Sequence, residues 1–263
     1  LKKFVTGYPE TRIIVTTRPV GYSSSLLKEG WRHYELLPLK VCDAINHVGT
    51  LLGDIYPPES DKLKNALEIA STQLKNKEIN HIVSRSPFLL GLATSLFIRG
   101  KSLGNTKTEL YENLFELIDE IKFDRVEPSN IAASTLVAFL NIIAWDLQLN
   151  SIENLKPIKK RCADKLAEEL GEPKLKACQI VDDCLKYWEQ VGMLEQLHFE
   201  GNTTIVFIHK TFGEYAAARY LVGFSIDKQH QLIKERLSNK SSTEEIVFAA
   251  SLGAVDIVFI EII

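Results

Sequence analysis

The chain has 263 residues, of which 45% are hydrophobic and 25% are charged, so its composition is that of a globular protein and excludes a disordered one. This length allows two or three small domains. The 31 basic and 34 acidic side chains give a net charge of −3, which excludes a general positive field that would attract nucleic acid or an anionic membrane.

The cysteines and the apolar segments indicate a cytoplasmic protein. We recognise no signal-peptide pattern in the residues that precede the cysteines, and no apolar stretch approaches the roughly 20 residues that cross a bilayer. The cysteines lie in segments predicted to be helical and have no Cys-x-x-Cys spacing, so we expect reduced thiols in or near the core. They are Cys42, Cys162, Cys178 and Cys184.

Residues 11–17 form a short apolar run rich in β-branched side chains, which predicts a buried parallel strand that ends before Arg18. Ligands of open α/β sheets bind beyond the carboxyl ends of the strands, so Arg18 is a candidate contact for a bound phosphate. A surface arginine at the entrance of a loop is the alternative, and the strand alone favours it. Residues 31–39 predict a second strand after a Gly/Ser-rich loop.

A helical pattern follows, with predicted helices at 40–53, 60–79, 87–99 and 107–121. Ser86 followed by Pro87 is a typical N-cap and first-turn pair, which predicts the start of the third helix. Almost every side chain from 88 to 98 is apolar, so we expect this helix to be buried. Thr106 and Glu109 predict a capping box at the start of the fourth helix.

Gly100-Lys101-Ser102 is similar to the end of a phosphate-binding P-loop, but Ser95 replaces the first glycine of the motif and a predicted helix precedes it where a strand is required. We therefore reject it as a P-loop. Because the chain begins at Leu1 and its only methionine is Met193, we expect a longer parent protein. The P-loop and the magnesium-binding acids of such a parent would lie upstream.

Predicted helices at 129–149, 155–170 and 174–193 are followed by a predicted β-hairpin with strands at 193–199 and 203–208. Helices followed by a two-stranded hairpin are typical of a winged-helix domain. Further amphipathic helices are predicted at 227–238 and 242–252.

His209 lies between the second strand of this hairpin and the next helix. Thr211 and Glu214 predict a capping box, so the helix N-terminus is expected one or two residues beyond the imidazole. Unpaired amides and the positive end of the helix dipole make such a terminus an anion site, to which a histidine can add a donor. A histidine that only caps the helix or bonds to the hairpin is the alternative, and this segment alone favours it.

The segment that begins at His209 resembles the end of the winged-helix part of NACHT-type signalling NTPases, a group of STAND proteins that includes the NLR receptors and bacterial antiphage relatives. The matching residues are His209, Thr211, Phe212, Glu214, Tyr215, Ala216 and Ala217. Thr-Thr-Arg-Pro around Arg18 is similar to the sensor motif of this family, and Ser-Pro-Phe-Leu-Leu around Pro87 is similar to its helical-domain motif. Gly213 departs from the usual polar residue and should weaken the helix by roughly 1 kcal/mol relative to alanine.

The resemblance implies a role for three residues. Arg18 would read the γ-phosphate, Pro87 would pack against adenine, and His209 would contact the β-phosphate of ADP and hold the closed resting state. ATP or ADP with magnesium is therefore implied for the intact protein. Because this chain lacks the P-loop and the magnesium ligands, we expect it to hold nucleotide weakly or not at all, and to be inactive as an ATPase by itself.

We predict a mainly α fold with a small α/β part. Residues 1–39 would be the C-terminal end of a P-loop NTPase sheet, 40–126 a helical domain, 127–225 a winged-helix domain, and 226–263 the start of a helical sensor-side region. The resemblance implies an ADP/ATP switch that self-associates when a missing sensor region detects an unknown trigger, in innate immune or antiphage defence.

Two alternatives stay open: a winged-helix protein that presents the helix at 174–193 to nucleic acid, and a helical protein-interaction module without nucleotide binding. In the helix at 174–193 acids offset lysines, so little net attraction to phosphate is expected. The charged residues weighed are Lys174, Lys176 and Lys186 against Asp182, Asp183 and Glu189. The other histidines have no metal-ligand spacing, and no catalytic residue or metal site is predicted.

Overall fold

The computed structural model describes residues 6–8, 10–16, 32–120, 131–149, 153–199, 201–238 and 244–262. The chain forms two compact units, Leu1–Leu37 and Pro38–Ile263. The described residues are mainly helical and include a small two-stranded sheet, which confirms the coarse fold class.

Most of the helices and both strands of the described residues belong to the second unit. In chain order the helices are α1 (Val41–Ile55), α2 (Asp61–Leu74), α3 (Lys77–Val83), α4 (Pro87–Ile98), α5 (Lys107–Glu120), α6 (Ala133–Leu149), α7 (Leu155–Leu170), α8 (Lys174–Val191), α9 (Lys210–Val222), α10 (Ile226–Ser238), α11 (Glu244–Ala249) and α12 (Val255–Ile262). Strands β1 (Leu194–Phe199) and β2 (Asn202–Phe207) form an antiparallel hairpin between α8 and α9, and a π-helical turn, Ala250–Ala254, joins α11 to α12.

The two strands predicted near the start of the chain are not formed in the described residues. Residues 11–16 and 32–39 have no regular secondary structure, and apolar side chains expected to be buried are exposed, with Ile14 at 92% and Leu36 at 97%. A strand needs a neighbour to bond its N–H and C=O groups. Where the structure describes the chain, only β1 and β2 pair as strands, so the strand predictions at 11–17 and 31–39 are wrong for these residues.

The helix predicted at 60–79 is divided into α2 and α3. Asn76 lies at the break and is the N-cap of α3, because its side chain accepts hydrogen bonds from the N–H groups of Glu78 and Ile79. The segment predicted at 242–252 is α11 followed by the π-helical turn. The remaining predicted helices are confirmed, with ends that differ by a few residues.

One aromatic cluster joins helices assigned above to three different domains. The ring centroid of Tyr111 on α5 lies 5.3 Å from that of Phe212 on α9 and 5.6 Å from that of Phe248 on α11. Phe115 and Tyr215 extend the cluster, with ring centroids 4.9 Å apart. The boundaries predicted near 126 and 225 thus fall within one compact unit, and the division into domains stays a prediction.

Gly100-Lys101-Ser102 forms the C-terminal cap of α4. Gly100 has φ +68°, its N–H donates to the Phe97 carbonyl at 3.0 Å, and the N–H of Lys101 donates to the Leu96 carbonyl at 2.9 Å. These two bonds are those of a Schellman motif, in which glycine adopts the left-handed conformation that ends a helix. The structural role of this segment agrees with its rejection as a P-loop.

The cysteines divide into two buried and two exposed thiols. Cys162 and Cys184 are buried, Cys42 and Cys178 are exposed, and all four are free. The prediction of core thiols is confirmed for the first pair and wrong for the second, whose side chains lie on solvent-facing sides of α1 and α8. Among the described residues, no helix is both long enough and apolar enough to cross a bilayer.

Candidate functional site

His209 is the N-cap residue of α9, at the point where the hairpin ends. Its backbone is extended, with φ −118° and ψ 121°, and its carbonyl accepts a hydrogen bond from the Phe212 N–H at 3.1 Å. The preceding residue, Ile208, donates to the Met193 carbonyl at 3.0 Å, which continues the hairpin pairing. The His209 side chain makes no capping bond to its own helix, so its position is not explained as a cap.

The capping box predicted for Thr211 and Glu214 is not formed. The helix begins at Lys210, so His209 is the N-cap residue and Thr211 lies within the first turn. Glu214 is 3% exposed and pairs with Lys210 Nζ at 3.0 Å. The helix N-terminus is therefore closer to the imidazole than the capping box predicts.

The imidazole of His209 contacts the start of α4. His209 Nε2 lies 2.6 Å from Ser86 Oγ, although the two residues are 123 positions apart in the sequence. Ser86 is the N-cap of α4, and its Oγ accepts a hydrogen bond from the Leu89 N–H at 3.5 Å. Pro87 follows in the first turn, so the helix start predicted from the Ser-Pro pair is confirmed.

Two aromatic rings fix the orientation of this imidazole. The Phe88 ring is stacked on His209 with a centroid distance of 5.9 Å and an interplanar angle of 12°. The Phe212 ring lies 6.2 Å away at 57°. Stacked and tilted arrangements of this kind are favourable for aromatic side chains. The plane of the imidazole is thus held by residues from α4 and α9 together.

The contact between Ser86 and His209 also brings two helix N-termini together. Helix α4 has 12 residues and α9 has 13, and their N-cap side chains are hydrogen-bonded to each other. The first amides of a helix lack intrahelical partners, and its dipole is positive at this end. Two such ends in one place favour an anion more than either alone.

Pro87 and His209, two of the three residues predicted to contact nucleotide, thus lie at the same junction. Arg18 lies outside the described residues, as does the rest of its Thr-Thr-Arg-Pro motif except Thr16, so its phosphate contact stays a prediction. Ser86 and Phe88 were missed as site residues. The signal that could have found them is the Ser-Pro-Phe motif itself, because a residue next to a proposed adenine contact is also close to the ligand.

A cavity of about 290 Å³ lies elsewhere, between α5, α9 and the π-helical turn. Its lining includes Glu116 and Asp119 of α5 and Tyr215 and Arg219 of α9. Arg219 Nη2 lies 3.4 Å from Asp119 Oδ2. Burial raises the pKa of Asp119, and the charge of Arg219 opposes this shift. Neither Pro87 nor His209 is among the described residues that line this cavity.

Within the ranges that the structure describes, no group of three or more His, Cys, Asp or Glu side chains could hold a metal ion. Comparison of the chain with protein-family models, with curated proteins and with solved structures found no match. The functional interpretation therefore depends on the motifs and on the geometry around His209.

Proposed function

We propose that this chain is the regulatory part of a nucleotide-gated signalling NTPase of the NACHT type, in which His209 contacts the β-phosphate of ADP and Pro87 packs against adenine. The observation that carries the proposal is the 2.6 Å contact between Ser86 Oγ and His209 Nε2. It joins the two motifs that resemble the nucleotide contacts of this family.

The chemistry of the junction suits a nucleotide diphosphate. An imidazole N–H and the first amides of α9 are hydrogen-bond donors, and phosphate oxygens are acceptors. Pro87 has no N–H and offers an apolar ring to a purine. Arg18 would read the γ-phosphate, and magnesium would be held by residues outside this chain.

The proposed switch depends on two nucleotide contacts, Pro87 and His209, that belong to different helices and lie far apart in the sequence. ADP bound to both motifs would hold α4 and α9 together, and its exchange for ATP would weaken the His209 contact. A ligand shifts a conformational equilibrium only by its differential affinity for the two states, which the β-phosphate contact would supply. Release of α9 would permit self-association of a cytoplasmic protein after its trigger is detected by a sensor region.

The ion pairs of α8 weigh against the nucleic-acid-binding alternative. Lys174 Nζ lies 2.8 Å from Asp164 Oδ1, and Lys176 Nζ lies 2.6 Å from Glu172 Oε1. Lysines paired with carboxylates contribute less to a positive surface, and attraction to phosphate depends on such a surface. We therefore expect no salt-dependent binding of duplex DNA.

The decisive experiment measures ADP affinity in the intact protein that carries this chain. A hydrogen bond to a charged group contributes about 1.5–3 kcal/mol, so His209→Ala should weaken ADP binding roughly 10- to 100-fold. Self-association without the trigger should increase, because the resting state loses its contact.

His198→Ala is the matched control. His198 is an exposed histidine of β1 whose Nδ1 lies 3.0 Å from Thr203 Oγ1, and its removal should leave ADP affinity unchanged. Unchanged ADP affinity together with unchanged self-association in His209→Ala would overturn the proposal.

A further inference from the structure

We infer that Ser86 is a positioning residue that sets the tautomer of His209, so that Nδ1 carries the proton and Nε2 accepts the Ser86 hydroxyl proton. The identity of the acceptor that Nδ1 would serve, a nucleotide phosphate, rests on the proposed function. The tautomer itself rests only on the hydrogen bonds around Ser86.

The Ser86 hydroxyl has one proton to donate and two lone pairs that accept. Ser86 is 8% exposed, so these groups have little access to water. One lone pair accepts the Leu89 N–H as the N-cap bond of α4. Among the described residues, the other polar partner of Oγ is His209 Nε2.

Two arrangements of the contact with His209 are conceivable. If Nε2 carried the proton and donated to Oγ, the hydroxyl proton of Ser86 would need a further acceptor in a buried place. If Oγ donates to Nε2, the hydroxyl proton is bonded to His209 and the lone pair accepts the Leu89 N–H, so no further acceptor is needed. Because buried polar groups are nearly always hydrogen-bonded, the second arrangement is favoured.

The stacking on Phe88 supports this assignment. With the two ring planes 12° from parallel, the imidazole is held with Nε2 directed to Ser86 Oγ. In a neutral imidazole one nitrogen donates and the other accepts, and the bond made by one sets the role of the other. Any hydrogen bond that neutral His209 donates must therefore come from Nδ1.

This assignment gives Ser86 a role in anion recognition without a contact to the anion. A phosphate presents acceptors, so it requires a donor from the imidazole. With the tautomer fixed in advance, the contact forms without a proton rearrangement. Loss of the Ser86 hydroxyl would release Nε2 to carry the proton and would leave Nδ1 as an acceptor, which a phosphate oxygen cannot use.

Two substitutions separate the hydroxyl from the capping of α4. Ser86→Gly removes the hydroxyl, and glycine is a good N-cap residue that costs only a few tenths of a kcal/mol relative to serine in general. Ser86→Thr keeps both the hydroxyl and the cap. A role that is only structural would therefore leave the imidazole unchanged in both variants.

The first readout is the ¹⁵N spectrum of the histidine side chains at a pH where His209 is neutral, with its signals assigned by their loss in His209→Ala. We expect a protonated Nδ1 and an unprotonated Nε2 in the wild type and in Ser86→Thr, and a shift toward protonated Nε2 in Ser86→Gly. A protonated Nε2 in the wild type, or the same spectrum in Ser86→Gly, would overturn the inference. This readout needs no nucleotide.

The second readout is ADP affinity in the intact protein. Ser86→Gly should weaken binding by about 2- to 10-fold, which is the range of one hydrogen bond, while Ser86→Thr should not. In a His209→Ala background the effect of Ser86→Gly should vanish, because Ser86 acts through the imidazole. An equal effect in both backgrounds would overturn the inference. If His209→Ala itself leaves ADP binding unchanged, the proposed function fails, and the ¹⁵N spectra still decide the role of Ser86.

Discussion

Gly213 of α9 lies against the ring of Phe207 in β2: a β-carbon added at position 213 would be 2.8 Å from Phe207 Cδ2 and 3.1 Å from Cγ. Both distances are shorter than van der Waals contact. Phe207 is 9% exposed, so its ring has little space into which it can move. The glycine lets the first turn of α9 approach the hairpin closely, and it thereby helps to place His209.

We expect Gly213→Ala to destabilise the protein, although alanine is the better helix former. Alanine gains about 1 kcal/mol from helix propensity, whereas forcing an extra methyl group into a packed site costs about 1–3 kcal/mol. The net change should be a loss of about 1 kcal/mol in the free energy of unfolding, measured by urea titration.

Gly91→Ala in α4 is the matched control. A β-carbon at position 91 has no atom within 4 Å, so this substitution should stabilise the protein through propensity alone. If Gly213→Ala stabilises as much as Gly91→Ala, the close contact with Phe207 is not important.

Local signals in the sequence predicted the helix starts well, because both partners of a cap lie within a few residues. At the start of α5, the Glu109 N–H donates to Thr106 Oγ1 at 3.2 Å, and Glu109 Oε2 accepts from the Asn105 N–H at 2.7 Å. The Ser-Pro start of α4 was predicted for the same reason.

Capping patterns, which relate neighbouring residues, could not predict contacts between distant segments of the chain. His209 contacts Ser86, which lies 123 positions away in the sequence. The resemblance to a family selected Pro87 and His209 separately, and only the fold relates their positions to each other.

A buried ion pair connects the helices that follow α9 to the rest of the unit. Arg236 Nε of α10 lies 3.5 Å from Glu245 Oε1 of α11, and the two side chains are 1% and 0% exposed. Arg236 Nη2 donates to the Trp145 carbonyl of α6 at 3.2 Å, and the guanidinium lies 4.4 Å from the centre of the Trp145 ring. The region after residue 226 is thus attached to α6 by desolvated charges.

Glu245→Leu should destabilise the protein by about 3–5 kcal/mol, because it leaves the guanidinium buried without its carboxylate. The double variant Arg236→Met with Glu245→Leu should lose less stability than Glu245→Leu alone, since neither charge remains. Thermal unfolding of the variants would show this non-additivity. A double variant whose loss of stability equals the sum of the losses in Arg236→Met and in Glu245→Leu would contradict the prediction.

Glu153→Gln is the control for a partly exposed pair. Glu153 Oε2 lies 2.5 Å from Arg161 Nη2, and both side chains are 35% exposed. Pairs with such access to water contribute about 0–1 kcal/mol, so this variant should change stability little. A loss as large as that of Glu245→Leu would show that burial does not control the effect.

Asp119 and Asp164 should give opposite pH dependences of stability. Burial raises the pKa of Asp119 above 3.8, against the effect of Arg219, whereas a hydrogen bond from Lys174 lowers the pKa of Asp164 below 3.8. A raised native pKa means that stability is lost as the pH rises through it. A lowered native pKa means that stability is lost as the pH falls through it.

As the pH rises above 3.8, ionisation of Asp119 lowers the stability of the wild type, and asparagine does not ionise. Asp119→Asn should therefore become more stable relative to the wild type as the pH rises through this range. Asp164→Asn should be less stable than the wild type near neutral pH, and this deficit should disappear as the pH falls below 3.8. Urea midpoints measured across this range test both signs. Parallel curves for the two variants would contradict the assignment.

The cysteines should differ sharply in reactivity. The thiolate is the reactive form of cysteine, and burial raises the pKa of both Cys162 and Cys184 to about 12. Cys42 and Cys178 are exposed. A maleimide reagent at mildly alkaline pH should therefore label Cys42 and Cys178 in the folded protein, and should label Cys162 and Cys184 only when a denaturant is added.

Peptide mass spectrometry after timed labelling checks this result position by position. A variant with Cys42→Ser and Cys178→Ser should take up no label while it is folded. Labelling of the buried pair then reports opening of α7 and α8, so its rate in urea should follow the unfolding transition of the whole unit. Equal labelling rates for all four cysteines without denaturant would show that α7 and α8 do not bury their thiols in solution.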